Sequence, residues 1–369
     1  MRRVLAVALL SLVAAPILMA DVSIIERREA RQKVASAGKA KHPHGPGKAT
    51  GSQALIDAQG LKYFINTDIT FSTSSSASGA MSEASFTHAV AASTSAGGTT
   101  ASTLNDAFDG YNTICLSLNN TVATCETGNA NFIIYNKNGP ATTECPGPIS
   151  HVNRQVVFPP QNAGSIQMSR KVFVPDNDQF ARWLNYFTNT GGSPQTVTMV
   201  VANNLGSDSN TQITGTSSGS LTPAVTDTWV TTFQNFTGKT TSDPRLGHVL
   251  QGPGATVPLS GINFANGDDN PFWGYTFTLQ PGETKIIANF VTGQPTIAAS
   301  KNKAAQLGGL GLPANALQCL TANEQAEIVN FQAVVPIASV PTLSWSSLAA
   351  LAVLLGIAAL VLLRRRAAA

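Results

Sequence analysis

Asp243, Arg245 and His248 form the densest polar cluster of the 369-residue chain. An aspartate that orients a histidine makes a general base, and a nearby cation can steady developing negative charge. The same residues also read as a polar turn. Ser242, Asp243 and Pro244 open it, Arg245 pairs with a carboxylate, and Gly252, Pro253 and Gly254 end the hairpin. The turn is the favoured reading, because no nucleophile elbow, zinc-protease helix, phosphate loop or dinucleotide fingerprint accompanies the cluster. Asp268 with Asp269, and Asp176 with Asp178, place oxygen ligands close enough for calcium. Neither pair has the spacing of a known calcium loop, and Asp and Asn are ordinary turn residues. Trp183, Trp229, Trp273, Tyr186, Tyr275 and Phe277 could stack on sugars, but aromatic residues in strands more often fill a core. The expectation is therefore no catalytic residue, no cofactor, no metal site and no enzymatic activity.

Four cysteines stand at Cys115, Cys125, Cys145 and Cys319. An even number behind an export signal reads as disulfides, with three connectivities open. Cys115–Cys125 is favoured because residues 116–124 can turn as a hairpin near Asn119 and Asn120. That leaves Cys145–Cys319, which would tie the C-terminal part of the domain to the sheet.

The elements that must position these groups are mostly strands. Residues 53–294 run as short apolar stretches bounded by Asn, Gly, Asp and Pro. Thr276 and Thr278 alternate with Tyr275, Phe277 and Leu279, and Trp273 shares the aromatic face. Thr196 and Thr198 alternate with Val197, Met199 and Val201, and Ile166, Met168, Val172 and Val174 share another face. A period of two over such lengths marks strands with one buried face. The fold class expected is mainly β: an antiparallel β-sandwich, one large or two packed halves, with a short helical closure and a C-terminal transmembrane helix. The closure spans 295–331. Residues 298–307 have helical composition, and Thr321 with Glu324 forms a capping box. Residues 72–103, rich in Ser, Thr, Ala and Gly, are either a loop or a stretch holding at least one strand near Phe86 and Val90.

Both ends read as targeting segments. Residues 1–20 have a basic start, an apolar stretch and Ala20 before Asp21, the pattern of a secretory signal peptide. Residues 21–52 are a charged segment and a basic linker containing His42 and His44, which could bind metal weakly but read as part of a solvated, flexible linker. After a linker at 332–339, residues 348–363 carry no polar side chain and Arg364, Arg365 and Arg366 follow. A positive cluster there keeps the tail cytoplasmic and the body of the protein outside. Just before the apolar run stand Val340, Pro341, Thr342, Leu343, Ser344 and Trp345. This segment, 340–369, resembles the IPTL-CTERM sorting signal of Gram-negative bacteria, with Val340 in place of the first Ile and Trp345 directly after Ser344. The resemblance implies a membrane-embedded sorting enzyme as partner, and an address at the inner membrane facing the periplasm or at the cell surface. The segments 203–208 and 242–254 resemble uncharacterised exported β-domains that accompany such tails, which implies no particular activity.

Charged residues make up only 12% and the formal net charge is +3. That excludes a nucleic-acid footprint and a disordered polyelectrolyte. Two function classes follow. The first is an exported envelope or surface-anchored sandwich with a structural, adhesive or matrix role, and a surface glycan or protein as ligand. The alternative is an exported carbohydrate-binding or carbohydrate-cleaving domain.

Overall fold

In the computed structural model the chain forms two units, Met1–Gly47 and Lys48–Ala369. The structure describes residues 51–68, 77–93, 99–125, 130–138, 154–234, 243–332 and 364, all within the second unit.

The first strands are β1 (Ser52–Ile56), β2 (Leu61–Asn66), β3 (Met81–Phe86), β4 (Val90–Ser93), β5 (Thr99–Ser102), β6 (Gly110–Ser117) and β7 (Phe132–Ile134). Next come β8 (Gln155–Ala163), β9 (Ile166–Phe173), β10 (Ala181–Asn189), β11 (Gln195–Asn204) and β12 (Thr211–Thr216). The last are β13 (Trp229–Gln234), β14 (Arg245–Val249), β15 (Leu259–Asn263), β16 (Phe272–Leu279) and β17 (Thr284–Gln294). They pair antiparallel into an eight-stranded sheet, β1-β2-β3-β6-β11-β16-β15 with β7 on β6, and a seven-stranded sheet, β12-β13-β14-β17-β10-β9-β8. A small β4–β5 hairpin stands apart from both. Residues 72–103 thus hold strands as well as loop.

The alternation expected from sequence decides which side chains meet between the sheets. Val197, Met199, Val201, Trp273, Tyr275, Phe277 and Leu279 from the larger sheet join one buried cluster with Met168, Val172, Trp183, Phe187, Ile287 and Val291 from the smaller. Both layers contribute to a single core, so the domain is one large sandwich rather than two halves.

The outer face of the seven-stranded sheet is apolar too, through Phe173, Leu184, Val249, Ile286, Ala288 and Phe290. It is covered by α1 (Ile297–Leu307), a 3-10 turn (Ala314–Leu317) and α2 (Ala322–Glu327). Thr296 caps α1 by accepting from the Ala299 N–H. The Thr321–Glu324 capping box of α2 forms as expected, and Glu324 also accepts from Lys171 and Tyr186 on the sheet. One carboxylate therefore starts the helix and ties it to the strands beneath.

The expectation of a transmembrane helix is corrected. Among the described residues no helix is long and apolar enough to cross a membrane. The segment for which it was expected, 348–363, lies outside the described residues. So do the signal peptide, the linker with His42 and His44, Cys145, the sorting motif Val340 to Trp345, and Arg365 and Arg366; Arg364 is described as exposed and helical.

Cys115–Cys125 forms, with Cα atoms 6.1 Å apart. Its setting differs from the hairpin expected. Leu118 still bonds the Asn131 carbonyl beside β7, but residues 119–125 belong to no strand. They run as a strap over the outer face of the larger sheet, after a turn in which Asn119 Oδ1 accepts from the Thr121 N–H and Asn120 adopts φ 55°. Cys319 is also disulfide-bonded.

Candidate binding face

The outward side of β6, β11, β16 and β15 differs from the rest of the sandwich. These four strands, and the strap that crosses them, contain no Asp, Glu, Lys, Arg or His. The face is lined by hydroxyls. β11 and β16 pair Thr196 opposite Thr278 and Thr198 opposite Thr276, with Oγ1 atoms 3.0 and 2.8 Å apart. Thr198 donates to Asn120 Oδ1 at 3.3 Å, which makes Thr276 the donor of the Thr198–Thr276 bond, and Ser260 Oγ lies 3.1 Å from Thr276 Oγ1. Thr196, Thr276 and Thr278 are exposed. Directly opposite residues on one face are the natural partners of an antiparallel pair. Each hydroxyl keeps a lone pair after making its cross-strand bond.

Further along the same strands the face becomes apolar. Cys115, Cys125, Val200 and Ala202 form a small buried cluster edged by half-buried Val122, Phe132, Ile134 and Phe272. The strap is seated by shape. Gly261 and Gly274 are cross-strand partners, and a Cβ on either would come within 2.9 or 2.7 Å of Val122. Two adjacent glycines thus open the socket that Val122 fills, and the disulfide holds it there.

The Asp243–Arg245–His248 cluster does not assemble. Residues 245–249 are strand β14, so alternation sends Arg245 and His248 to opposite faces. Arg245 lies over the Phe233 ring, 4.6 Å from its centroid, and donates to the Asp243 backbone carbonyl at 2.9 Å. His248 points between the sheets, where Nδ1 meets Tyr111 Oη at 3.0 Å and Nε2 meets Thr232 Oγ1 at 2.9 Å. No carboxylate is among its partners, and burial lowers its pKa to about 3. It stays neutral as a core residue, which the turn reading also missed.

The acidic loops are structural as well. Asp178 is held by Lys303 and Asn315, Asp176 lies 3.9 Å from Arg154, and Asp268 accepts from the Asn270 N–H. Among the described residues no group of three His, Cys, Asp or Glu could hold a metal. Trp183, Trp273, Tyr275 and Phe277 are buried between the sheets, and Tyr186 and Trp229 pack at the edge of the helical cover. They form core, as the strand pattern favours, and no exposed platform.

Sequence reasoning missed Glu83. This half-buried residue of β3 accepts from the Ala84 and Ala107 N–H groups at 3.0 Å through one oxygen. Burial raises its pKa to about 8, with Asp106 and Asp109 adding repulsion. A carboxyl whose folded pKa lies above its unfolded value costs stability as pH rises between the two, from about 4.5 to about 8. Glu83→Gln keeps the acceptor and removes the charge. It is expected to raise stability at pH 9 by on the order of 1–2 kcal/mol and to leave it nearly unchanged at pH 4. Thermal melts of both proteins at the two pH values measure this. An equal effect at both would refute the assignment.

No family model matches the chain and no curated protein does. Solved structures with similar β architecture include a polysaccharide lyase, 13% identical with a TM-score of 0.36, matched over 70% of this chain and 34% of that one. The chain therefore spans about a third of that protein's length. A galactose mutarotase-like protein from Lactobacillus casei is 9% identical with a TM-score of 0.36, over 66% and 99% of the two chains. An aldose epimerase homologue from C. elegans is 12% identical with a TM-score of 0.31, over 67% and 100%. Because these neighbours carry enzyme names, the expectation that the chain has no enzymatic activity is set aside. At such scores the likeness assigns no activity to this chain either.

Proposed function

We propose that this chain is an exported β-sandwich that binds neutral carbohydrate on the outward face of β6, β11, β16 and β15. The observation that carries the reading is that four strands lined with threonine hydroxyls and bordered by Phe132 and Phe272 carry no charged side chain of their own, the nearest ammonium being Lys285, which is engaged by the Thr278 carbonyl and Glu283. A neutral glycan presents hydroxyls around a ring whose C–H faces are apolar. Hydroxyl and amide side chains satisfy the first, aromatic edges the second, and neither needs a formal charge. Nucleic acid or an acidic glycan would instead call for arginine or lysine. A strap held by a disulfide and by the fit of Val122 on two glycines keeps the face in one shape before ligand arrives, which lowers the ordering cost of binding. Disulfide bonding also suits an oxidising compartment. The leader at 1–20 fits export, and the Val340 to Trp345 motif fits delivery by a sorting enzyme to the surface, where an adhesive or matrix role would follow.

The test is a glycan array probed with the oxidised full chain. Binding concentrated among neutral glycans is expected. It should fall at least tenfold in the Thr196→Ala/Thr278→Ala double variant, whose exposed positions bear little of the fold's stability. No neutral glycan retained, or equal binding by the variant, would overturn the proposal.

One observation favours a second reading, cleavage of carbohydrate. Burial raises the pKa of Glu83 to about 8, with Asp106 and Asp109 adding repulsion, and glycoside hydrolysis uses a carboxyl of raised pKa beside an ionised one. Turnover of a glycan, abolished by Glu83→Gln in a protein that still folds, would establish it.

A further inference from the structure

Lys303, Asp178 and Asn315 come from three separate segments: α1, the connection between β9 and β10, and the 3-10 turn. Lys303 Nζ lies 2.5 Å from Asp178 Oδ1, and Asn315 Nδ2 donates to Asp178 Oδ2 at 3.3 Å. An amine and a carboxamide thus sit side by side on the two oxygens of one carboxylate. That carboxylate is nearly buried, its side chain 8% exposed, and the lysine side chain is 14% exposed. The Asn315 carbonyl oxygen, in turn, accepts from Asn177 Nδ2 at 3.5 Å and from Gln318 Nε2 at 3.4 Å. Gln306 Oε1 accepts from Lys303 Nζ at 2.6 Å and fixes the amine's position.

The geometry points to a covalent Lys303–Asn315 isopeptide bond formed by the protein itself. Each part that acyl transfer needs is on hand. Lysine is a nucleophile once a base takes its proton, and Asp178 Oδ1 is placed to take it. As Nζ attacks Cγ of Asn315, negative charge grows on the carbonyl oxygen, where two amide N–H donors already point. The tetrahedral centre then expels Nδ2. The proton held by Asp178 passes to that nitrogen through Oδ2, its hydrogen-bond partner. The Nζ–Cγ bond forms and the Cγ–Nδ2 bond breaks; Nζ gives up its second proton through Asp178 as the amide forms, so the nitrogen departs as one ammonium ion and charge is conserved. The carboxylate ends as it began, and no oxidant, reductant or cofactor takes part. Holding both reactants on one carboxylate is what lets so weak an electrophile react.

The bond would join α1 to the 3-10 turn that follows it and so brace the helical cover on the seven-stranded sheet. It is independent of the carbohydrate-binding face. The decisive measurement is the intact mass of the reduced full chain, followed by peptide mapping. The expected result is a mass lower by one ammonia and a branched peptide joining Lys303 to Asn315. Lys303→Arg and Asn315→Ala should each restore the mass calculated from their sequence, as should Asp178→Ala. The unaltered mass in folded wild-type protein, with separate linear peptides bearing Lys303 and Asn315, would overturn the proposal even if the Asp178 variant did not fold.

Discussion

Replacing Arg170 with alanine is expected to destabilise the sandwich by about 4 kcal/mol, the largest single-residue loss foreseen outside the apolar core. Arg170 stands on β9 but points between the sheets, fully buried and without a carboxylate partner. Its Nε donates to Asn185 Oδ1 at 2.9 Å, Nη1 to the Ser78 carbonyl at 3.3 Å, and Nη2 to both the carbonyl and Oδ1 of Asn112 at 2.6 Å. Ser78 and Asn112 belong to the opposite layer, so the guanidinium bolts the two sheets together. The network continues from Asn185 to Asn289, Tyr275 and the Leu250 carbonyl. Burial lowers the pKa of Arg170 to about 9, so it remains charged at neutral pH. Alanine would leave a cavity and several buried acceptors without donors, and unsatisfied groups cost more than the lost bonds themselves. Lysine reaches fewer of the acceptors and should recover only part of the loss. Urea denaturation of the three proteins measures this. A loss below 1 kcal/mol for the alanine variant would contradict the bolt.

The second large effect is acid lability centred on His248. Its folded pKa of about 3 lies below the unfolded value of 6.5. The unfolded chain therefore takes up a proton first as pH falls, and stability present above pH 6.5 is lost progressively toward pH 3. The full loss is on the order of 3–5 kcal/mol. Glu83 acts with the opposite sign between about 4.5 and 8, so the two overlap only from 4.5 to 6.5. Below 4.5 Glu83 is protonated folded and unfolded, and the difference between wild type and His248→Gln isolates the histidine. The variant should be less stable at pH 7, because Tyr111 and Thr232 lose a well-placed partner. Its stability should nevertheless fall much less between pH 6.5 and 3.5. Parallel pH profiles for the two proteins would show that His248 is not the buried neutral group.

These two residues mark where sequence reading stops. Thr196, Thr198, Thr276 and Thr278 were legible as outward-facing because strand alternation is local, and the Thr321–Glu324 box because a cap spans four residues. Cys115–Cys125 was legible from its short separation, although the strap it closes was not, since Val122 is positioned by Gly261 and Gly274 far along the chain. Alternation applied to 245–249 would have placed Arg245 and His248 on opposite faces; reading that stretch as a turn hid it. Arg170 could not be found the same way. A charged residue on an inward position breaks the pattern, and only the distant Asn112, Ser78 and Asn185 explain it. Glu83 is perturbed by burial, a tertiary property with no local signature.

The carbohydrate-binding face is tested most directly by calorimetric titration of the best neutral glycan from the array. Wild type is compared with Thr196→Glu/Thr278→Glu, which puts carboxylates on strands that carry no charged side chain, and with Leu221→Glu on an exposed loop elsewhere. The expected result is at least a tenfold weaker Kd for the face variant alone, measured well below the melting temperature of all three, which the opposed glutamates lower only in the face variant. Equal affinity in the face variant, or an equal loss in the loop variant, would contradict the assignment of that face as the binding surface.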